Sequence, residues 1–350
     1  MPQNSIWQKR KLNTTYLIAE IGVNHETKIE KAKLMIEQVK SCGWDCVKFQ
    51  TYKADSIAQV NSPAYWDTTK EKSLSQHELF SKYDKFTIET YIKLAEFAKS
   101  VHIDFCTTLF NEQFVNDYDH LLPFYKIASA DLTNYLLIDQ ILETGKDIIL
   151  STGASTIDEI CRTVQYIQKN KKNSSRLCLL HCVLNYPTLY QNADLIKINL
   201  LKDLFPDIEI GYSDHVPPDE DNLCLITAYL LGAKIIEKHF TYDKSLTGND
   251  HYHAYDKNDA KAFKNKTIRI DQLMGEKNRD VTKNQKDARS QARRSLVARQ
   301  DIQIGEKLSV RNVTALRPCN GLSPEIWPQI KGKRSKNCIR KNALITINDF

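Results

Sequence analysis

The stretch Tyr16-Leu-Ile-Ala-Glu-Ile-Gly-Val-Asn-His25 distinguishes between two α/β folds, both of which are compatible with the rest of the chain. Its first six residues have the composition of a buried strand, and a single glycine opens the turn that follows. A doubly wound open sheet predicts a glycine-rich G-x-G-x-x-G turn after its first strand, and this turn lacks that pattern. The stretch therefore favours a (β/α)8 TIM barrel, with the doubly wound sheet as the alternative fold.

Seven further short apolar runs follow the first, and most of them are separated by segments with helical spacing. Apolar residues recur at every third or fourth position between Ile29 and Val39, and Ser155–Glu159 has the acidic first turn of a helix start. The seven runs are Cys46–Gln50, Ile103–Thr107, Phe124–Ala128, Asp147–Ser151, Leu177–His181, Ile208–Tyr212 and Lys234–His239. Eight β-α units in about 275 residues match the size of a TIM barrel.

After Met274 the sequence pattern changes, and we predict three segments: a barrel over 1–275, a linker over 276–290 and a small domain over 291–350. The linker segment is polar and charged, with few apolar residues. The runs Ser295–Ala298, Asn312–Leu316 and Ala343–Ile347 predict a β-rich fold for the last segment. Its core is marginal at about 60 residues, so we expect this domain to dock onto the barrel.

Composition and charge exclude several classes of protein for this 350-residue chain. A hydrophobic content of 41% is enough for a folded core, and no apolar run is long enough to cross a membrane. We find no signal peptide and expect a cytoplasmic protein whose nine cysteines are buried, reduced thiols. The basic excess between Lys277 and Arg311 has no interleaved aromatic residues, so we expect neither nucleic acid nor a membrane as a partner.

Polar residues fall at the carboxyl ends of the predicted strands, where TIM-barrel enzymes carry their active sites. Every strand end contributes at least one of them. They are Glu20, Lys48, Gln50, Thr107, Lys126, Ser129, Ser151, Thr152, His181, Asn185, Ser213, Asp214, His215, Glu237 and His239. One such residue is often structural, but a complete ring is hard to explain as core packing, because burying an unpaired polar group costs ~1–3 kcal/mol.

Two features of this ring indicate the kind of ligand it binds. Lys48 and Lys126, together with the hydroxyl groups, form a candidate site for phosphate or carboxylate, and alternation along the strand places Gln50 on the same face as Lys48. His215 and His239 follow strands that are neighbours in a barrel, and two imidazoles suit a divalent ion such as Mn²⁺, Co²⁺ or Zn²⁺.

A long connection, Thr51–Lys85, follows the second predicted strand and is rich in aromatic residues. These residues are Tyr52, Tyr65, Trp66 and Tyr83. Connections of this length inside a compact domain are usually lids or binding loops, so we expect this one to border the site.

Several of these segments resemble the sialic acid synthase family, and the resemblance runs from residue 16 to residue 350. In the predicted barrel it is carried by Ile18-Ala-Glu-Ile-Gly-Val-Asn-His25, Val47-Lys-Phe-Gln50, Tyr125-Lys-Ile-Ala-Ser129, Ser151-Thr-Gly153, Leu180-His-Cys182, Gly211-Tyr-Ser-Asp-His215, Glu237-Lys-His-Phe240 and Gly248-Asn-Asp250. Beyond the barrel, Arg294-Ser-Leu-Val297, Arg317-Pro-Cys-Asn-Gly-Leu-Ser-Pro324 and Ile330-Lys-Gly332 resemble the antifreeze-like (SAF) domain of these enzymes.

The resemblance implies a transferase that condenses phosphoenolpyruvate with the open-chain aldehyde of an N-acyl mannosamine-type sugar, such as N-acetylmannosamine. Phosphoenolpyruvate C3 attacks the aldehyde carbon, water adds at C2, and phosphate leaves through C–O cleavage to give a nonulosonic (sialic) acid. A divalent metal is implied, with Mn²⁺ as the first expectation and Mg²⁺ or Co²⁺ as alternatives. A domain-swapped homodimer is also implied, in which the antifreeze-like domain caps the partner's barrel.

The resemblance further implies roles for individual residues. His215 and His239 would hold the metal, Glu20 would hold a sugar hydroxyl or metal-bound water, and Asp131 would be the general base near C2. The implied substrate-binding residues are Lys48, Gln50, Thr107, Lys126, Ser129, Ser151, Asn185, Tyr186, Ser213, Asp250 and Arg317. Among these, Arg317 would reach the N-acyl group of the sugar from the partner subunit.

Three departures from the family pattern leave the exact sugar open. Asp131 stands where many bacterial members have Glu, and Leu184 stands where some place a polar residue, with Asn185 as a substitute. His251 and His253 occupy positions where several members carry other residues. The alternatives are a legionaminic or pseudaminic acid synthase and a 9-phosphate synthase that uses the 6-phosphorylated sugar. A non-catalytic sugar-binding scaffold would have lost the metal and phosphate residues, which are intact.

Overall fold

The computed structural model describes residues 14–66, 68–69, 71–172, 175–248, 250–275 and 280–350. The chain divides after Met274 into two compact units. In the described residues, no helix has both the length and the apolar composition needed to cross a membrane.

The first unit is built on eight parallel strands that follow one another around a barrel-like sheet. They are β1 (Tyr16–Gly22), β2 (Cys46–Thr51), β3 (Asp104–Leu109), β4 (Tyr125–Ile127), β5 (Ile148–Ser151), β6 (Leu177–Cys182), β7 (Glu209–Asp214) and β8 (Ile235–His239). The order of hydrogen-bonded strands is β3-β2-β1-β8-β7-β6-β5-β4. β1 therefore pairs with β8, the last strand of the barrel in the sequence. β3 and β4 lie side by side at the remaining junction. This arrangement confirms the predicted TIM barrel.

Helices connect most of the strands and cover the outside of the sheet. They are α1 (Ile29–Ser41), α2 (Ala54–Ile57), α3 (Gln76–Tyr83), α4 (Ile88–Ser100), α5 (Phe114–Tyr118), α6 (Tyr135–Thr144), α7 (Ile157–Asn170), α8 (Lys197–Leu204), α9 (Leu223–Leu230) and α10 (Lys257–Met274). α7 begins where the sequence predicts a helix start. Thr156 caps it, and Thr156 and Glu159 form a reciprocal capping box.

The barrel interior is filled by side chains from alternate positions of the strands. One buried cluster consists of Tyr16, Ile18, Cys46, Cys106, Phe124, Ile149, Cys178, Leu180 and Ile235. A Cβ on Gly211 of β7 would lie 2.3 Å from the Ile235 carbonyl oxygen, so only glycine fits at this position. The same alternation carries polar side chains into the carboxyl end of the barrel, above this apolar layer.

All nine cysteines are free, and six of them are buried. The expectation of buried thiols therefore holds for most of them, whereas Cys319 and Cys338 of the second unit are exposed.

The second unit contains a short antiparallel pair, β9 (Ser295–Ala298) with β10 (Val313–Leu316). The prediction of a third strand at Ala343–Ile347 is wrong. In this segment Leu344 makes only an isolated β-bridge, to Val297. Beyond it Thr346 and Asp349 form a capping box that turns the chain into a 3₁₀ helix. In this unit α11 (Lys286–Ala292) overlaps the segment predicted as a linker, and α12 (Trp327–Ile330) follows β10.

Candidate active site

A deep cavity opens at the carboxyl ends of the barrel strands, and it encloses about 1150 Å³ with its open mouth included. Its floor is formed by polar side chains that point inward from the strand ends. These are Glu20, Lys48, Gln50, Thr108, Lys126, Ser129, Ser151, Ser213, His215, Glu237 and His239. The structure therefore brings together most of the residues predicted from the sequence for one site.

Two lysines and two carboxylates form a buried charge network across the cavity floor. The Lys48 ammonium contacts the Glu20 carboxylate and lies 3.7 Å from Oε2 of Glu237. Nζ of Lys126 lies 3.7 Å from Oε1 of the same Glu237. Glu237 thus stands between both ammonium groups, and Ser213 donates a 2.9 Å hydrogen bond to it.

The buried environment shifts the pKa of each group in this network. Burial raises the pKa of Glu20 to about 7, against the opposing effect of Lys48. Burial alone would also raise the pKa of Glu237, but Lys126 and Lys48 together lower it, so Glu237 is ionised. Burial lowers the pKa of Lys126, with Glu237 opposing the shift. Lys126 is therefore a poorly solvated cation for which an anionic ligand would be a strong partner.

Hydroxyl groups surround Lys126 and complete a cradle for an anion. Lys126 donates a 2.7 Å hydrogen bond to the hydroxyl of Ser151. The backbone N–H of Gly153 donates to the hydroxyl of Ser129 at 2.9 Å. A Cβ at residue 153 would lie 2.8 Å from that hydroxyl oxygen, so glycine is required for this close approach. A cation ringed by hydroxyl donors suits a phosphate or carboxylate group.

Two neutral imidazoles, His215 and His239, stand beside this cradle with their ring centroids 5.2 Å apart. Nδ1 of His215 donates to the Val183 carbonyl at 2.8 Å, which leaves Nε2 available. Burial lowers the pKa of His215 to about 4 and that of His239 well below its ordinary value. Neutral imidazoles are in the form that binds metal ions, and the backbone carbonyl of Val183 also fixes the orientation of the His215 ring.

The ligand atoms that converge most closely belong to His239, Asp250 and His253. One candidate atom from each lies within 4.8 Å of the others. Oδ2 of Asp250 is 3.4 Å from Nδ1 of His239, and Oδ1 is 3.8 Å from Nε2 of His253. Nδ1 of His239 is buried without a hydrogen-bond partner among the described residues. This donor set fits a divalent ion, as the orphaned nitrogen requires a partner that the protein does not supply.

The long connection after β2 forms the outer wall of the cavity with its aromatic side chains, Tyr52, Tyr65, Trp66 and Tyr83. Glu71 holds its inner turn by accepting hydrogen bonds from the Ser73 backbone at 2.9 Å and from Lys82 at 2.9 Å. Although burial raises it, the hydrogen bonds from Ser73 and Lys82 lower the pKa of Glu71 to about 2. Glu71 is therefore ionised and forms an ion pair with Lys82 at the outer wall.

Tyr186 and Asp250 also line the cavity, in agreement with their predicted positions. The Tyr186 ring stacks at an angle on His215, with centroids 4.2 Å apart, and its carbonyl accepts a hydrogen bond from the Tyr252 hydroxyl at 3.0 Å. The Tyr186 ring therefore packs against the imidazoles.

Three of the first-unit residues to which the resemblance gives a role do not line the cavity, and neither do the strand-end residues Thr152, His181 and Asp214. The Thr107 side chain lies on the face of β3 that points away from the cavity, and its hydroxyl forms a 2.8 Å hydrogen bond with the Thr51 hydroxyl. The neighbouring residue, Thr108, lines the cavity instead. Asn185 is exposed, since the turn after β6 sends Leu184 and Tyr186 inward. Asp131 is half-buried and accepts a hydrogen bond from Asn134 at 3.0 Å. Arg317 belongs to the second unit, directly after β10.

Thr108 and His253 were given no site role from the sequence, and Glu237 was predicted at a strand end without a specific role. Its position also follows from spacing, because it lies two residues before His239 and alternate residues share a strand face. His253 lies in an irregular loop, for which no spacing rule applies.

Known proteins share both parts of this chain. Residues 35–279 match the NeuB family, and residues 293–350 match the SAF domain. The chain is 32% identical to the N,N'-diacetyllegionaminic acid synthase of Campylobacter jejuni, over 95% of this chain and 99% of that protein. It is 34% identical to the N-acetylneuraminate-9-phosphate synthase of Drosophila melanogaster, over 74% of this chain and 69% of that protein.

A solved structure has the same fold. It is the N-acetylneuraminic acid (sialic acid) synthetase of Leptospira borgpetersenii in complex with citrate, with a TM-score of 0.68 and 29% sequence identity. The similarity covers 79% of this chain and 90% of that one.

Proposed function

Because this chain belongs to the NeuB family, we propose that it is a nonulosonic acid synthase that joins phosphoenolpyruvate to an N-acyl hexosamine and releases phosphate. C3 of phosphoenolpyruvate bonds to the aldehyde carbon of the open-chain sugar. Water adds at C2, and the phosphate leaves with its bridging oxygen. The observation that carries the proposal is one cavity in which buried lysines adjoin a cluster of imidazoles and a carboxylate.

Phosphoenolpyruvate binds, in this proposal, on the floor of the cavity. Lys48 and Lys126 provide two cations for its two anionic groups, and Ser129, Ser151 and Ser213 provide hydroxyl donors. Glu237 keeps both ammonium groups in place before the substrate arrives, at 3.7 Å from each. Preorganised donors of this kind bind the developing phosphate charge without rearrangement.

A divalent metal is held by His215 and His239, with Asp250 beside them. When bound, such an ion acts as a Lewis acid that polarises the aldehyde oxygen. Both imidazoles are neutral because burial lowers the pKa of each, so no proton has to leave before the ion binds. Mn²⁺ is the first candidate, with Mg²⁺ and Co²⁺ as alternatives.

Of the two residues predicted to handle protons, Glu20 lines the cavity, whereas Asp131 lies outside its lining. Glu20 is buried beside Lys48 and receives a 3.0 Å hydrogen bond from Gln50, and its pKa is raised by burial to about 7. A carboxyl group with a pKa near the working pH can both hold and release a proton. Asp131 follows β4 within the electrostatic reach of Lys126, and burial raises its pKa too.

The acceptor binds against the aromatic outer wall, and the charges there favour a sugar without a phosphate group. Among the described residues that line the cavity, the ammonium groups are those of Lys48 and Lys126 on the floor. The ionised Glu71 of the outer wall is paired with the Lys82 ammonium at 2.9 Å, and the described residues that line this wall include no lysine or arginine to bind a 6-phosphate. Aromatic faces pack well against the acyl methyl groups and C–H faces of an N-acylated sugar.

The test of the function is an assay of phosphate release from phosphoenolpyruvate with a panel of hexosamines. We expect turnover with N-acetylmannosamine or a diacetamido hexosamine, and a kcat/KM at least about tenfold lower for a 6-phosphorylated sugar, equivalent to ~1.4 kcal/mol of lost binding. If no phosphate is released with any of these sugars, the synthase assignment is wrong. A preference for the 6-phosphate would overturn only the acceptor assignment.

Metal removal gives a second expected outcome in the same assay. After EDTA treatment and desalting we expect no turnover, because the polarising ion is lost, and we expect Mn²⁺ to restore it. Full activity of the chelated enzyme, with metal content checked by mass spectrometry, would contradict the proposed metal site.

We also propose that Arg317 contacts the N-acyl group of the sugar within a homodimer, a role that rests on the match of residues 293–350 to the SAF domain. Arg317→Ala should raise the KM for the sugar and leave that for phosphoenolpyruvate nearly unchanged. Steady-state kinetics with each substrate varied in turn measure both values, and light scattering measures the oligomeric state. Equal effects on both substrates would remove this role from Arg317.

A further inference from the structure

His253 occupies a buried position next to the proposed metal site but has no assigned part in it. It ends a short 3₁₀ turn, His251–His253, in the loop between β8 and α10, and its side chain is completely buried. Neither of its ring nitrogens has a hydrogen-bond partner among the described residues. A buried polar group without a partner destabilises the fold, so its presence here calls for an explanation.

His251, two residues earlier, shows how a structural histidine is satisfied in the same turn. It is equally buried, and its Nδ1 forms a 2.7 Å hydrogen bond with the Thr241 hydroxyl. His253 has no comparable partner, although it shares the same 3₁₀ turn. The difference indicates that His253 is kept for a ligand rather than for packing.

The unpartnered nitrogens of His253 face other metal-binding groups. The His253 and His239 rings have centroids 4.9 Å apart, and Nε2 of His253 lies 3.8 Å from a carboxylate oxygen of Asp250. The His215 ring is 6.0 Å away from that of His253. The ligand atoms of His239, Asp250 and His253 therefore converge, and the His215 ring lies beside them.

We propose that His253 is a further ligand of the metal ion, which binds to His239, Asp250 and His253, with the His215 ring beside the same site. The inference builds on the metal site of the proposed function and extends it. A third imidazole raises affinity for Co²⁺ and Zn²⁺ more than for Mn²⁺ or Mg²⁺, since imidazole nitrogen is a softer ligand than carboxylate or water oxygen. With His253 as a ligand, the preference of this site for Co²⁺ relative to Mn²⁺ is therefore larger than that of a site with two imidazoles.

The test measures binding of Co²⁺ and of Mn²⁺, each alone, to the metal-free full-length protein without either substrate. For His253→Ala we expect Co²⁺ affinity to fall by more than the roughly 10–100-fold that loss of an outer-sphere partner costs. We expect a smaller fall for Mn²⁺ and a change in the visible absorption of bound Co²⁺. His251→Ala is the matched control and should leave both affinities and the Co²⁺ spectrum unchanged.

Equal losses for both ions, or an unchanged Co²⁺ spectrum in His253→Ala, would overturn the inference. Should His253→Ala not fold, His253→Asn keeps a polar side chain at the position, and the same shift in the Co²⁺-to-Mn²⁺ affinity ratio is expected. Binding is measured without phosphoenolpyruvate or sugar, so the result does not depend on the proposed reaction. If the protein binds Co²⁺ through His253 but releases no phosphate, the proposed reaction is wrong and the inference about His253 still holds.

Discussion

Replacing Lys126 with methionine should raise the KM for phosphoenolpyruvate by about 100-fold or more and leave the KM for the sugar nearly unchanged. A hydrogen bond to a charged group contributes ~1.5–3 kcal/mol, and two of them on one ammonium account for a factor of this size. Folding should be retained, because Glu237 keeps Lys48 and Ser213 as partners. Kinetics with each substrate varied in turn, together with thermal melting, measure both effects.

Lys238→Met is the matched control for this variant. Lys238 is also a fully buried lysine, but it points away from the cavity and pairs with Asp214 at 2.6 Å. Removing it leaves the Asp214 carboxylate without its buried counter-charge, which costs ~3–5 kcal/mol of stability. We expect a lower melting temperature and an unchanged KM for phosphoenolpyruvate in the folded fraction. If Lys238→Met instead raised the KM for phosphoenolpyruvate and Lys126→Met did not, the anion site would lie elsewhere.

Replacing His239 with alanine should abolish both metal binding and turnover while the protein stays folded. His239 is shared by the pair with His215 and by the cluster with Asp250 and His253, so its loss removes a ligand from either arrangement. Its Nδ1 forms no hydrogen bond among the described residues, and the fold therefore loses little when the ring is removed. We expect the metal-free variant to melt at or above the temperature of the metal-free wild type.

His181→Ala provides the contrast for the second experiment. His181 precedes the end of β6, but its Nε2 is hydrogen-bonded to the Ala193 carbonyl at 2.8 Å and its ring stacks on Tyr212. Its removal should lower stability by ~1–3 kcal/mol and leave the metal content intact. Metal analysis and calorimetry distinguish the two histidines. Turnover by His239→Ala at the wild-type rate would be incompatible with the proposed site.

The strands and their order could be predicted from the sequence because short apolar runs alternate with helical patterns. Each of the eight predicted runs overlaps one strand of the barrel, and the bounds differ by at most two residues. The polar residues that end these runs meet in one cavity for a geometric reason, since parallel strands present their carboxyl ends at the same edge.

The face of a residue was harder to predict where both sides of a strand are buried. Thr107 and Thr108 are adjacent, both are buried, and they have the same side chain, so composition gives no sign of which one points inward. Counting alternate positions from Cys106, which belongs to the barrel interior, selects Thr108. Alternation along the strand therefore identifies the inward-facing threonine, but only once Cys106 is known to point into the barrel.

Loop geometry could not be predicted from the sequence. Asn185 was expected at the site, yet the turn after β6 leaves it exposed and points Tyr186 inward. His253 is brought beside His239 by the loop after β8, whose path depends on tertiary contacts such as the hydrogen bond from the Tyr252 hydroxyl to the Tyr186 carbonyl. Only the fold establishes these neighbours.

The most direct test is anomalous diffraction from crystals grown with Co²⁺ or Mn²⁺ and soaked with phosphoenolpyruvate. We predict one ion bound to the imidazole of His239, and phosphoenolpyruvate beside it with its anionic groups on Lys48 and Lys126. An ion bound away from His239, or phosphoenolpyruvate bound out of reach of both lysines, would contradict the proposal that one barrel cavity holds both.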